Sequence, residues 1–153
     1  MSFSTEISMH EPCIWDFGTD DEIYPTADET MAMLFEVEYM FTQANFDEGN
    51  TLNLTDIEMS SLHLRKSSLL CILKHYNDSL KHANIAVNLN PSAASYYRLG
   101  ISSYLLSDFE NSSKSFYKSQ EYDGASYKII NALNVVALRC RSRKDRGAFV
   151  QPL

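Results

Sequence analysis

A chain of 153 residues with 44% apolar and 12% aromatic residues can build one packed domain, burying roughly two-thirds of the surface its unfolded form exposes. Its net charge of −7 argues against general nucleic-acid binding, which needs clustered cations to displace counterions. The 5 glycines and 4 prolines favour helices over a many-turned β fold, and three cysteines at wide spacings, Cys13, Cys71 and Cys140, form no disulfide framework and point to a reducing, intracellular compartment.

Residues 1–26 read as an arm. The opening MSFSTEISMHEPC has neither a basic segment nor an apolar run, so no secretory signal is expected, and no run of 18 apolar residues predicts a membrane span. Pro12, Gly18 and Pro25 interrupt the arm, and CIWDFGTDDEIY mixes aromatics with Asp16, Asp20, Asp21 and Glu22. Trp15, Phe17 and Tyr24 form either a docking motif for a partner with a basic, apolar groove or a lid folded back on the rest of the chain. The cost of leaving a lone Trp in water favours folding back.

The first helix is expected over 28–45, capped by Thr26 or Asp28, with Glu29 in its first turn. Met31, Leu34, Phe35, Glu38 and Phe41 trace one stripe, widened by Met33, Val37 and Met40, an adaptable Met-rich face. Without a helix in front of it, the Met31–Met40 face is expected to self-associate unless the arm covers it. Gly49-Asn50 breaks the chain. Residues 55–75 form the second helix, with Thr55 and Glu58 as a capping box and Leu62, Leu69, Leu70 and Leu73 on the core side. Residues 77–88 form its partner, and Pro91 stops it. Residues 93–106 and 109–121 form the next hairpin, joined by Ser107-Asp108. Residues 125–142 form the last helix, with Ile129, Leu133, Val136 and Cys140 on one face. Beyond it Arg143, Lys144 and Arg146, with Arg139 and Arg141 before them, make a basic end. It reads as a nuclear-import or anion-contact patch, or as a solvated helix end favoured by the C-terminal dipole. The division is an arm at 1–26, a helical domain at 27–142 and a basic tail at 143–153.

The middle of the chain repeats. Laid one over the other at a period of 33 residues, Tyr76 falls on Phe109, Ser79 on Ser112, Ala83 on Phe116, Ala86 on Ser119, Leu89 on Tyr122 and Pro91 on Gly124. Going backwards, Ser67 falls on Gly100 and Cys71 on Tyr104. Two antiparallel helices need small side chains where their backbones cross closely, and Gly100, Ser112 and Ser119 are suited to that. Large ones such as Tyr96 and Phe116 then fill the space between hairpins. A single hairpin cannot bury its apolar face alone, so such units stack. The pattern resembles the tetratricopeptide repeat. Tyr96, Leu99, Gly100, Tyr104, Phe109, Ser112, Phe116 and Ser119 stand in the family's Trp, Leu, Gly, Tyr, Tyr, Ala, Phe and Ala places, with Tyr104 one place late and Gly124 where the family has Pro. In the first unit Tyr76, Ser79, Ala86 and Pro91 fit, while Lys66-Ser67 replace the Leu-Gly pair. The resemblance implies an all-α, short helical-hairpin solenoid closed by a C-terminal capping helix.

Catalytic chemistry has little to stand on. His10, His63, His75 and His82 lack zinc-site spacing. Cys71 and His75, four apart on a helix, are the one candidate ligand pair, and no second pair completes a set. No glycine loop cradles phosphate, and no nucleophile has a base and an orienter. The chain is expected to be no enzyme and to hold no cofactor or metal. The rival, a metal-dependent or catalytic helical protein, rests on Cys71 and His75 alone.

Binding has more support. The first helix of each hairpin lines a solenoid's inner surface, here Ser61, Leu64, Arg65 and Ser68, then Tyr97, Arg98, Ile101 and Leu105, then Tyr127, Asn131 and Asn134 of the last helix. Arg65 and Arg98 hold equivalent places. With Tyr97 and Asn131 they suit a carboxylate gripped bidentately, unless they make only weak exposed salt bridges. Residues 96–116 are similar to the third tetratricopeptide unit of the large immunophilins, and residues 64–91 to the second, with about 115 residues covered in all. The resemblance implies an intracellular protein-binding adaptor, cytoplasmic or nuclear, with an acidic peptide or helix as its partner. It also brings the alternative of a co-chaperone that grips the acidic tail of the ninety-kilodalton heat-shock chaperone. Of that family's clamp only Arg98 is matched. Arg65 stands where Asn is expected and Ala94 where Lys is, and the isomerase domain has no counterpart.

Overall fold

The computed structural model describes residues 25–44 and 54–150, with side chains through Arg141. Trp15, Phe17 and Tyr24 of the arm lie outside the described residues. Six helices follow one another, with no strand among the described residues: α1 (Ala27–Ala44), α2 (Asp56–Ile72), α3 (Tyr76–Leu89), α4 (Ala93–Leu105), α5 (Phe109–Tyr122) and α6 (Tyr127–Val150). They form an all-α hairpin solenoid, α2 pairing with α3 and α4 with α5, with α6 closing the end against α5 and α1 lying on α2.

The period of the sequence is also the period of the backbone. Each hairpin turns at a residue in the left-handed region, Lys74 (φ 65°) and Ser107 (φ 62°). The turn is closed by the same bond in each: His75 N–H donates to Leu70 O (2.8 Å) and Asp108 N–H to Ser103 O (2.9 Å). α3 and α5 both end on an extended residue, Asn90 and Asp123. Thr55 and Ser92 start the first helices, each with a reciprocal capping box that satisfies otherwise orphaned N–H groups.

Hydroxyls hold the crossings. Ser79 Oγ donates to Ser67 O (2.9 Å), and one period later Ser112 Oγ donates to Gly100 O (2.7 Å). At the other end of each hairpin the donor changes sides: Ser60 Oγ on α2 bonds Ala86 O (2.9 Å), whereas Ser119 Oγ on α5 bonds Ala93 O (2.6 Å). Ser67, Ser79, Ser112 and Ser119 are fully buried, which such partners make tolerable. Gly100 lets the helices of the second hairpin approach, since a Cβ there would lie 2.5 Å from Phe116 Cε1. The main core joins Cys71, Tyr97, Ile101, Tyr104 and Phe116 to Ile129, Ala132 and Val136 of α6. A second cluster joins Val37 of α1 to Leu62 and Leu69.

Two expected faces are rotated. On α1 the buried residues are Thr30 and Val37, with Met33, Leu34 and Phe41 packed at the edge. Met31, Phe35 and Tyr39 point outward, Phe35 being 77% exposed. The helix packs on α2, and one neighbour covers a narrower stripe than a helix between two would bury. On α6, Ile129 and Val136 are buried as expected, but Ala132 completes the face and Cys140 is exposed. The last helix runs past the end expected at 142 and continues to Val150. Arg143, Lys144 and Arg146 are good helix formers, and the helix continues through Gly147.

Candidate functional site

The inner face of the solenoid holds a groove of about 780 Å³. Ile57, Ser61, Leu64, Arg65 and Ser68 of α2 line it at helical spacing, and Ala94, Tyr97 and Arg98 of α4 continue it. Ser61 and Ala94, Leu64 and Tyr97, and Arg65 and Arg98 are the same places one period apart. Met40 of α1 and Leu54 close one end, and Lys128 and Ile129 of α6 the other.

Arg98 forms the floor. It is 2% exposed, and its Nη1 donates to Cys71 Sγ at 3.7 Å. Burial pushes its pKa down to about 9, so it remains a cation at neutral pH. An exposed groove arginine was the expectation from the sequence. The structure sinks the guanidinium because α4 lies between the first hairpin on one side and α5 with α6 on the other. Arg65 is half-buried above it, and its Nε is buried with no hydrogen-bond partner among the described residues. Lys128 Nζ stands 5.6 Å over the Tyr97 ring. The carboxylates on the lining are Glu58 and Asp123, and Glu58 is engaged in the Thr55 capping box. The groove therefore joins an apolar wall to three cations, a chemistry suited to an acidic segment with apolar side chains.

Of the residues expected at the site, Leu64, Arg65, Ser68, Tyr97 and Arg98 meet in the groove. Ile101 does not. It is fully buried in the main core, where α4 faces α5 and α6. Asn131 is half-buried, Asn134 exposed and Tyr127 80% exposed, all three outside the lining. The cause is a slip of phase. α4 starts four residues after α3 ends, but α6 starts five after α5 ends, so a 33-residue period misplaces α6 by one position and Lys128 takes the place expected of Tyr127. The Cys71–His75 pair also separates. Cys71 is buried with Sγ 2.9 Å from Ser79 Oγ, whereas His75 is exposed at the start of α3. Burial raises the Cys71 thiol to about 11, with hydrogen bonds from Ser79 and Ser102 pulling the other way. Among the described residues no cluster of three or more His, Cys, Asp or Glu is placed to hold a metal ion, and no helix is long and apolar enough to cross a membrane.

The sequence did not signal a histidine pair behind the groove wall. His63 and His82 stack at 5.2 Å with Nδ1 atoms 3.0 Å apart, one donating and one accepting. Burial, then Lys66, lowers the His63 pKa against the pull of Glu38. Burial, then Lys66 and His63, lowers His82 to about 4, with Glu38 opposing and Lys81 adding to the fall. Both folded values lie below the ordinary 6.5, so the unfolded chain takes up protons first. The pair's contribution to stability is full above about pH 6.5 and is lost as pH falls from there through about 4. Urea midpoints measured across this window should decline on acidification, and a His63→Gln/His82→Gln variant should flatten that part of the decline.

No family model matches the chain. Over 102 residues it is 30% identical to heat shock protein STI1 of Saccharomyces cerevisiae, a stretch that covers 63% of this chain and 17% of that protein. The chain thus corresponds to a small part of that relative's length.

Proposed function

We propose that the chain is a non-catalytic adaptor of tetratricopeptide type that binds an acidic segment of another protein in the groove between α2, α4 and α6. The observation that carries this reading is the pair Arg65 and Arg98, one period apart on one apolar wall, the second a buried cation facing the groove. Arg65 Nε is buried with no hydrogen-bond partner among the described residues, and a carboxylate entering the groove supplies an acceptor. The similarity to a heat shock protein makes a chaperone-associated partner the first to try.

The test is calorimetry with a panel of acidic peptides, one of them ending in Met-Glu-Glu-Val-Asp. That peptide should bind weakly, because of the co-chaperone clamp only Arg98 is matched. For whichever peptide binds, Arg65→Ala and Arg98→Ala should each weaken binding by about 1.5–3 kcal/mol, the worth of a hydrogen bond to a charged group. Arg98→Lys should recover only part, since an ammonium lacks the planar two-point grip. Affinity should fall with added salt. Arg65→Ala should leave the melting temperature nearly unchanged, whereas Arg98→Ala should lower it by emptying a buried site. Unchanged affinity in both alanine variants would place recognition elsewhere.

A further inference from the structure

We infer that the groove's own occupant is the chain's N-terminal arm, residues 1–24, which fills it in cis and must leave before a partner enters. The inference rests on the groove reading above and adds its regulation. Arm and groove are complementary in charge. Asp16, Asp20, Asp21 and Glu22 crowd around Trp15 and Phe17, and the arm has no Lys or Arg. The groove offers Arg65, Arg98 and Lys128 on an apolar wall, and Arg65 Nε is a buried donor with no acceptor among the described residues. The arm thus carries the acidic, aromatic chemistry that the groove is suited to take.

The arm is also long enough to reach the groove. The described chain begins at Pro25, which is buried at the start of α1, and Met40 near the other end of α1 lines the groove. Pro25 to Met40 is about 22 Å along a helix at ~1.5 Å per residue. An extended chain at ~3.3 Å per residue returns over that distance in about seven residues. Residues upstream of Gly18 therefore reach the groove, and the first aromatics among them are Phe17 and Trp15. A tether this short holds the arm at an effective concentration of about millimolar, enough to compete with a partner of micromolar affinity.

Trp15 is the one tryptophan of the chain, so its fluorescence reads the arm in the full-length protein. In the wild type Trp15 should be protected from acrylamide quenching. High salt, or the variant Arg65→Glu/Lys128→Glu, should expose it and raise the quenching constant several-fold with helix content unchanged. The inference is overturned if Trp15 is as accessible in the native protein as in urea. It is equally overturned if the protection survives in the double variant, or if it is lost on dilution, which would make the occupant a second copy's arm. A second measurement titrates the Met-Glu-Glu-Val-Asp peptide, which has no tryptophan, into the full chain and into a variant with Asp16, Asp20 and Asp21 changed to Asn and Glu22 to Gln. The neutralised arm should bind the peptide several-fold more tightly. Equal affinities would sink the arm's role and leave the groove reading standing. Binding to neither, with Trp15 protected only while Arg65 and Lys128 are intact, would sink the partner reading and support the arm.

Discussion

Phe116→Ala is expected to lower the stability of the protein by about 3–5 kcal/mol, the cost of removing a fully buried phenyl ring. The ring is fully buried and packs on Tyr97 with centroids 5.5 Å apart. It lies over Gly100, where a Cβ would meet Phe116 Cε1 at 2.5 Å, Cδ1 at 2.6 Å and Cζ at 2.8 Å. Gly100→Ser should therefore cost about 1–3 kcal/mol by overpacking. The first hairpin has Ser67 and Ala83 in these two places, both fully buried. The double variant Gly100→Ser/Phe116→Ala rebuilds that pairing, so its loss should fall short of the two single losses added together by about 1 kcal/mol or more. Urea unfolding of the four proteins decides this. Strict additivity would show that the ring and the glycine do not answer to each other.

Ser79→Val is expected to cost about 2–6 kcal/mol, combining overpacking with loss of a shared hydroxyl. Ser79 Oγ lies 2.9 Å from Ser67 O, 2.9 Å from Cys71 Sγ and 2.8 Å from Ser102 Oγ. One hydroxyl thereby ties α3 to α2 and to α4, joining one hairpin to the next. Valine has nearly the right shape but no hydrogen bond to give, and a second γ carbon has no room at a fully buried site. Ser79→Ala removes the hydroxyl without the added bulk and should cost less than Ser79→Val. A Ser79→Val protein with a wild-type midpoint would show that this junction does not govern stability.

The fold was legible in the sequence wherever small residues mark a crossing. Ser112, Ser119 and Gly100 were read as the closely packed places, and each takes part in a crossing that the structure shows. Pro91 and Ser107-Asp108 marked the breaks. The site was legible by face but not by depth. Helical spacing places Leu64, Arg65, Tyr97 and Arg98 on one side, yet it is silent on how many elements press on that side. That is why Arg98 lies at the floor of the groove, and why Ile101, three residues on, is in the core. Lys128 was missed because one added residue before α6 shifts the phase, which a fixed period cannot register. His63 and His82 were missed because they lie 19 residues apart on two helices, with no spacing rule to join them.

The changed direction of the second crossing bond sets the unit in which this protein can be rebuilt. A chimera joining α2 to α5 would bring Ser60 and Ser119 to one crossing, two hydroxyls where each hairpin uses one. It would also drive Phe116 onto Ser67. Joining α4 to α3 would bring Ala93 and Ala86 together with no hydroxyl, and would set Gly100 opposite Ala83 across a void. Single helices are therefore not interchangeable parts, although their sequences align. A whole hairpin carries its own solution to the crossing, and shuffling or duplication of this scaffold has to proceed by hairpins.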